Sequence, residues 1–227
     1  ATFFNGSNFV IEKGNLLGAG TISAWANMSH GLDALLDPWN VVLGLAVVFL
    51  ARILGLLYVI NSVENENMRN RASSQLVANT VPFLVFFLAF LVRLMLKDGF
   101  AVNPDTGEVY MEPMKYLHNL LDMWYLIIVL LIGVGLVLYG IIRSAITKSY
   151  IKGIWHTGIG TVLTVLVLFL IAGWNNTAFY PSNADLQSSL TISNACSSAT
   201  TLSAMAVVSL LVPFVLAYIA HAWRALG

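Results

Sequence analysis

Long apolar runs alternate with shorter polar segments along the whole chain. The runs lie at about residues 39–60, 79–97, 120–142, 154–174 and 202–223. Each holds roughly 20 residues, and at roughly 1.5 Å per residue such a helix crosses the ~30 Å hydrocarbon layer of a bilayer. The pattern therefore predicts an all-α integral membrane protein with about five transmembrane helices, which together form a transmembrane domain over residues 38–227.

Local signals mark how the predicted spans begin and end. Residues 1–37 mix polar and apolar positions and contain several glycines, so we expect a periplasmic or interfacial N-terminal segment. Asp37 and Pro38 are predicted to cap the first span, with Trp39 as an interfacial aromatic anchor. The polar residues 61–75 are predicted to connect the first two spans, and Asn103–Gly107 is predicted to form a turn.

The last span is interrupted by Pro213, which cannot donate a backbone hydrogen bond and so frees the carbonyl of Ser209. Either the hydroxyl of Ser209 or a neighbouring helix could compensate for that loss. Two other spans carry glycine pairs with a spacing of seven residues, Gly133 with Gly140 and Gly153 with Gly160. Glycines on one helix face permit close approach, so we expect spans three and four to touch.

Composition narrows the class of protein. With 58% apolar and 10% charged residues, the chain has too few charges to cover a soluble globule of 227 residues. The 11 Lys and Arg residues are scattered and form no basic stripe, which argues against nucleic acid as a partner. The one cysteine, Cys196, excludes an internal disulfide and a cysteine-based cluster. The chain starts at Ala1 without a visible signal peptide, so we expect that something is missing upstream.

The cations are unequally divided between the two predicted sides of the membrane. One side carries Arg69, Arg71, Arg143, Lys148, Lys152 and Arg224, and the other carries Lys13, Lys97 and Lys115. Because cytoplasmic loops are enriched in Lys and Arg, the N-terminal segment is predicted outside and the C-terminus in the cytoplasm.

Arg52 lies just beyond the middle of the first span. A cation there costs roughly 2.5–3.5 kcal/mol on insertion scales, so its side chain should face protein, a polar cavity or a cofactor. The chain offers no carboxylate at that depth, which places the expected partner on another segment or another chain. The alternative is snorkelling, or a hydrogen bond to a freed carbonyl.

Other charged residues cluster near the predicted outer surface. Arg93 is one turn from Lys97 and Asp98, where snorkelling is the favoured interpretation. His118 and Asp122 are one turn apart and could form a proton-handling pair, although a solvated helix start is the commoner case. The candidate buried or inter-subunit polar contacts are therefore Arg52, Arg93, Asp98, His118 and Asp122.

Haem is the membrane redox cofactor that the histidines of this chain could bind. His156 and His221 fall at the predicted cytoplasmic ends of spans four and five, where they could act as two axial ligands. Both lie beside Trp or Arg interface anchors, whereas membrane cytochromes usually bury their ligands within the bundle. No metal-spaced cluster, phosphate-cradling loop or nucleophile elbow occurs in the sequence. We therefore predict neither catalytic residues nor a metal site in this chain.

The ordered set of motifs resembles a known family. Ser189–Ser198, followed by Thr201-Leu202 and Val212–Tyr218, is similar to the final loop and helix of subunit II of cytochrome bd-type quinol oxidases. Three further places are similar: Phe3–Gly6, Leu36–Asn40 and Lys97–Phe100. The resemblance covers essentially the whole chain and is most specific in the final loop.

The resemblance implies a helix bundle plus a peripheral last helix in the bacterial cytoplasmic (inner) membrane, without the N-terminal half of subunit II. It implies a haem-free scaffold for subunit I, which holds haems b and d, oxidises quinol and reduces oxygen to water in the respiratory chain, with formation of a proton gradient. Some members of the family hold a structural quinone in subunit II. The resemblance does not decide whether small accessory subunits attach to the complex. Two alternatives remain: a cytochrome b-like protein that uses His156 and His221, or half of a membrane transporter.

Overall fold

The computed structural model describes residues 2–12, 22–147 and 150–226. The helices along this part of the chain are α1 (Thr2–Asn5), α2 (Pro38–Ser62), α3 (Glu66–Leu96), α4 (Lys115–Asp122), α5 (Trp124–Ile146), α6 (Gly153–Gly173), α7 (Ala199–Ser209) and α8 (Val212–Leu226). The strands are β1 (Phe9–Glu12), β2 (Ile22–Trp25), β3 (Gly99–Val102) and β4 (Val109–Glu112), and short 3-10 turns occupy Leu32–Leu35 and Leu186–Ser188. Two compact units, Ala1–Ile192 and Ser193–Gly227, are described separately.

Among the described residues, five helical segments are long and apolar enough to cross a bilayer. They are α2, α3, α5, α6 and the combined segment Ala199–Ala225. This confirms the prediction of an all-α membrane protein with five spans. The predicted domain boundary at residue 37 stays a prediction, and two of the cations counted for the topology, Lys13 and Lys148, lie outside the described residues.

The first unit is built from two helical hairpins, α2 with α3 and α5 with α6, which also contact each other. Towards the α2–α3 turn the core contains Ile53, Leu57 and Leu76. Towards the opposite end it contains Phe90 and Ile171. Many apolar side chains on the outward faces of these helices are exposed, as expected of surfaces that face lipid or another membrane protein.

The glycine pairs lie at the contact between α5 and α6. A Cβ atom on Gly133 would come within 2.7 Å of Thr164 Oγ1, and one on Gly160 within 2.7 Å of the backbone nitrogen of Val137. Larger residues would therefore force the two helices apart. The prediction that spans three and four touch is confirmed.

Capping decides where the first two spans begin. The Asp37 carboxylate accepts a hydrogen bond from the Trp39 backbone N–H at 2.9 Å, with Pro38 in the first turn, as predicted. The prediction that residues 61–75 form a polar connection is wrong, because Asn65 caps α3 and the helix starts at Glu66. The polar first turns of α3 continue into the bundle since Ala72 and Leu76 are buried in its core.

Two prolines lie within the spans. Pro82 lies inside α3, and the helix continues through it from Glu66 to Leu96. In the second unit, α7 ends at Ser209 and α8 begins at Val212, just before Pro213. Of the two compensations considered for the freed carbonyl, the Ser209 hydroxyl is used differently, because it donates to the Ala206 carbonyl at 2.7 Å. The alternative, a neighbouring helix, stays a prediction.

Short strands, absent from the all-α prediction, add a small β component at one end of the bundle. β3 and β4 pair antiparallel around the predicted turn, where the N–H of Gly107 donates to the Asn103 carbonyl at 2.8 Å. Gly107 adopts a φ of 74°, a conformation that glycine tolerates without strain. The third span starts at Trp124 rather than near residue 120, because Met123 leaves the helical region and separates α4 from α5.

Candidate functional site

Polar side chains of the first unit concentrate where three segments meet at one end of the bundle. These segments are the N-terminal residues 2–12, the region 97–123 and the loop 174–192, and we call this end the loop-rich end. Isolated β-bridges join these segments: one pairs Ser7 with Ser182, and another pairs Ala101 with Thr177. Four of the seven residues singled out from the sequence lie at or next to this end: Arg93, Asp98, His118 and Asp122.

Lys97 ties the N-terminal turn to the end of α3. Its ammonium group donates to the Phe4 carbonyl at 2.8 Å and reaches Asn5 Oδ1 at 3.5 Å. Burial of the ammonium group and the nearby charge of Arg93 lower the pKa of Lys97 to about 8, against the opposing charges of Asp37 and Asp98. Sequence reasoning treated Lys97 as an outer cation, a neighbour of Arg93 and part of a family motif, and it missed this role.

Arg93 and Asp98 flank Lys97 in the structure as they do in the sequence. The Arg93 guanidinium carbon lies 5.7 Å from the centroid of the Trp39 ring, which joins the end of α3 to the start of α2 through a cation–π contact. Asp98 is exposed and acts on Lys97 through its charge. The structure thus brings three charged residues at the end of α3 and just beyond it close to the first turn of α2.

His118 and Asp122 have different partners rather than each other. His118 Nδ1 lies 2.9 Å from Glu112 Oε1, and Lys115 Nζ forms an ion pair with the same carboxylate at 3.1 Å. Burial raises the pKa of Glu112, but the hydrogen bonds with His118 and Lys115 outweigh this effect and the net pKa is lowered. The hairpin of β3 and β4 places Glu112 beside α4, a long-range arrangement that helical spacing does not reveal.

Asn119 is the centre of a buried polar cluster that sequence reasoning missed. The side chain is fully buried, and its Nδ2 donates to the Ile171 carbonyl at 2.8 Å and to Thr177 Oγ1 at 2.7 Å. The Asn175 amide donates to Asn119 Oδ1 at 3.2 Å and to Asp122 Oδ2 at 3.1 Å. These bonds fasten α4 to the loop that follows α6. The only signal in the sequence is an asparagine three residues before Asp122.

Arg52 lies apart from the loop-rich end, within α2. Its side chain is exposed, and it forms no hydrogen bond, ion pair or ring contact with the described residues. The prediction that its partner is on another segment or chain, and the alternative of snorkelling, both stay open at this point.

The two histidines considered as haem ligands belong to different units. His156, in the first turn of α6, lies 3.2 Å from the Tyr150 hydroxyl and 3.0 Å from the Lys152 carbonyl through its Nδ1. Its ring also meets Tyr139 edge to face, with centroids 5.2 Å apart. His221 is exposed in α8 of the second unit. Their pairing as axial ligands is only the alternative to a chain without a metal site, and nothing in the structure tests it.

The arrangement can hold loops and charges in place at the membrane surface. Within the described ranges, no group of three or more His, Cys, Asp and Glu side chains is placed to hold a metal ion. In the cluster of Glu112, Lys115 and His118, the Glu112 carboxylate forms an ion pair with Lys115 and lies within hydrogen-bond distance of His118 Nδ1, and these contacts fix the hairpin of β3 and β4 on α4.

Comparison with known proteins adds independent information. The family model described as cytochrome bd terminal oxidase subunit II matches residues 1–226. The chain is also 30% identical, over 207 residues, to subunit 2 of the cytochrome bd-I ubiquinol oxidase of Escherichia coli strain K12. That match covers 85% of this chain and 53% of the relative, in its C-terminal part. The corresponding proteins of E. coli O6:H1 and O157:H7 match to the same extent, so the chain spans about half the length of these curated relatives.

The charges around Lys97 predict how the protonation of this lysine and the stability of the protein depend on pH. If the lysines carry a 13C label by reductive dimethylation, the NMR signal of Lys97 should titrate with a midpoint near pH 8, whereas an ordinary lysine titrates near 10.5. Because the folded protein binds this proton less tightly than the unfolded chain, stability should rise as the pH increases from about 8 to about 10.5.

The signal is identified by its absence in Lys97→Arg. Arg93→Gln should move the midpoint up, because a repelling charge is lost, and Asp98→Asn should move it down. A midpoint near 10.5 that neither substitution changes would contradict this description of the cluster.

Proposed function

The chain belongs to the cytochrome bd terminal oxidase subunit II family, and we propose that it is a haem-free membrane subunit of a quinol:oxygen oxidoreductase of the respiratory chain. In this proposal it scaffolds a haem-bearing subunit I. That partner holds haems b and d, oxidises quinol and reduces oxygen to water, and a proton gradient results. The chain itself contributes no catalytic residue and binds no haem.

The observation that carries the proposal is that threonine hydroxyl groups inside the helical bundle donate hydrogen bonds to backbone carbonyls. Thr161 and Thr164 donate to backbone carbonyls one turn earlier on α6, at 2.8 and 2.9 Å, and Thr157 donates to the Val137 carbonyl of α5 at 3.4 Å. These hydrogen bonds tie the hydroxyl groups to the backbone of α5 and α6, which supports a structural use of these side chains. Most titratable side chains of the first unit lie at its two ends. Such a bundle suits a support for redox centres that belong to a neighbour.

The close packing of α5 against α6 can be tested by substitution. A Cβ atom on Gly160 would overlap the facing helix, whereas one on Gly158 would meet no atom within 4 Å. The two glycines lie two residues apart on the same helix, so they form a matched pair. Gly160→Val should loosen the bundle, and Gly158→Val should leave it intact.

Purification from the native membrane with a tag on this chain tests the proposal. We expect a haem-rich partner to co-elute and the product to consume oxygen when quinol is supplied. Gly160→Val should reduce the recovered haem several-fold, and Gly158→Val should leave it near the level of the unmodified chain. A colourless product without a partner, or a haem yield that Gly160→Val does not affect, would count against a scaffolding role.

We also propose that the loop-rich end faces the periplasm and the C-terminus faces the cytoplasm. The described cations support this orientation, since Arg69, Arg71, Arg143 and Lys152 lie at the opposite end of the first unit. The tip of the hairpin between β3 and β4, at Asp105, and the start of α3, at Asn67, are both exposed. They offer one labelling position at each end.

A membrane-impermeant maleimide applied to intact cells tests the orientation. In a Cys196→Ser background, Asp105→Cys should react before cell lysis and Asn67→Cys only after it. The opposite order of labelling would reverse the proposed topology, and equal labelling of both positions in intact cells would contradict it.

A further inference from the structure

The outward face of α2 carries an unpaired charge on a stripe of apolar and small residues. The stripe repeats every three to four residues, so its members share one face of the helix. They are Val41, Leu45, Val48, Arg52 and Gly55, and all are exposed. We call this set the α2 stripe. The core positions of α2, Ile53 and Leu57, lie on the opposite side.

Arg52 lies too deep for easy contact with the lipid headgroups. At roughly 1.5 Å per residue, α2 is about 37 Å long, and when centred in a ~30 Å hydrocarbon layer it puts the Arg52 Cα about 12 Å inside the nearer boundary. That boundary is at the C-terminal end of α2, near Ser62. Side chains on an α-helix lean towards its N-terminus, so Arg52 leans away from the nearer headgroups and towards the centre of the bilayer.

Small residues next to Arg52 leave room for another helix. A Cβ atom built on Gly44 or Gly55 would meet no atom within 4 Å. Ala51 and Gly55 are four residues apart, the spacing at which small residues let the backbones of two membrane helices approach closely. A helix seated there would remove Arg52 from lipid.

The charge decides what that helix must contain. A guanidinium in the hydrocarbon layer is stabilised best by a carboxylate, which it can bind through two parallel hydrogen bonds. The chain's own acidic residues lie outside its five spans, apart from Glu66 in the first turn of α3. A parallel second copy of this chain would face Arg52 with another Arg52 and would offer no carboxylate. The occupant must therefore come from outside this sequence.

We propose that the α2 stripe is the docking surface for a transmembrane helix that presents an aspartate or glutamate carboxylate at the depth of Arg52. The inference deepens the proposed function, on which it rests, because the helix would belong to the assembled oxidase. The ion pair fixes depth and rotation of the partner, while Gly55 and its neighbours supply the close contact.

Site-specific photo-crosslinking in the native membrane tests this proposal. Benzoylphenylalanine is placed at Val48, on the α2 stripe, or at the control position Val85, an equally exposed valine in the middle of α3. We expect Val48 to capture at least five times more protein than Val85, and the captured peptide to come from a transmembrane segment with Asp or Glu within one helical turn. Lipid adducts at both positions, capture of a second copy, or a captured helix without an acid would overturn the proposal.

Substitution of Arg52 supplies a second measurement that does not depend on the crosslinker. Arg52→Leu leaves the partner's carboxylate unpaired, so recovery of the captured partner with the tagged chain should fall about tenfold, whereas Arg52→Lys should retain most of it. If Arg52 faces lipid, leucine is tolerated and recovery does not change, which would contradict the proposal. Arg52→Glu combined with arginine at the partner's acidic position should restore recovery.

The outcomes separate this inference from the proposed function. If a haem-rich partner co-elutes with the unmodified chain but Val48 yields only lipid adducts, the docking surface is refuted and the oxidase assignment stands. If no haem-rich partner co-elutes but Val48 captures an acid-bearing transmembrane helix, the proposed scaffolding role fails, while the docking of that helix on the α2 stripe stands without its place in an oxidase.

Discussion

The hydrocarbon layer supplies no hydrogen-bond partner, and the rest of the structure follows from that constraint. Backbone groups must be satisfied within each span, which is why the spans are helices. The same constraint applies to side chains. The hydroxyls of Thr161 and Thr164 bond to carbonyls of their own helix, and close glycine contacts together with the Thr157 hydrogen bond to the Val137 carbonyl join α5 to α6. In the described part of the bundle, these hydroxyl groups are therefore satisfied by backbone carbonyls.

Polar side chains concentrate at the loop-rich end, where both water and backbone groups can form hydrogen bonds with them. There Lys97 holds the N-terminal turn, and Asn119 joins α4 to the loop after α6. Both side chains bond to backbone carbonyls and so fix loops rather than substrates. Among the described residues, Arg52 departs from this separation, because it places a charge near the middle of a span and on an outward face. The proposed docking helix would supply the carboxylate that this charge lacks.

How well features could be predicted depended on how local their causes are. The five spans and the cap of Asp37 depend on residues close together in sequence, and the contact of α5 with α6 follows from glycines on single helix faces. The start of α3 was misplaced because a polar first turn resembles a loop until its buried face is known. The partners of His118 and Asn119 depend on a hairpin and a distant loop, so helical spacing could not reveal them.

The central claim is that this chain supports redox centres without binding any, and replacing its two candidate axial ligands tests it most directly. The oxidase complex is purified with His156→Leu and His221→Leu in this chain, and its reduced-minus-oxidised absorption spectrum is compared with that of the unmodified complex at equal protein concentration. The account predicts the same haem bands with the same amplitudes. Loss of one haem band in the double variant, with the partner subunit still present, would show that these imidazoles ligate iron and would contradict the account.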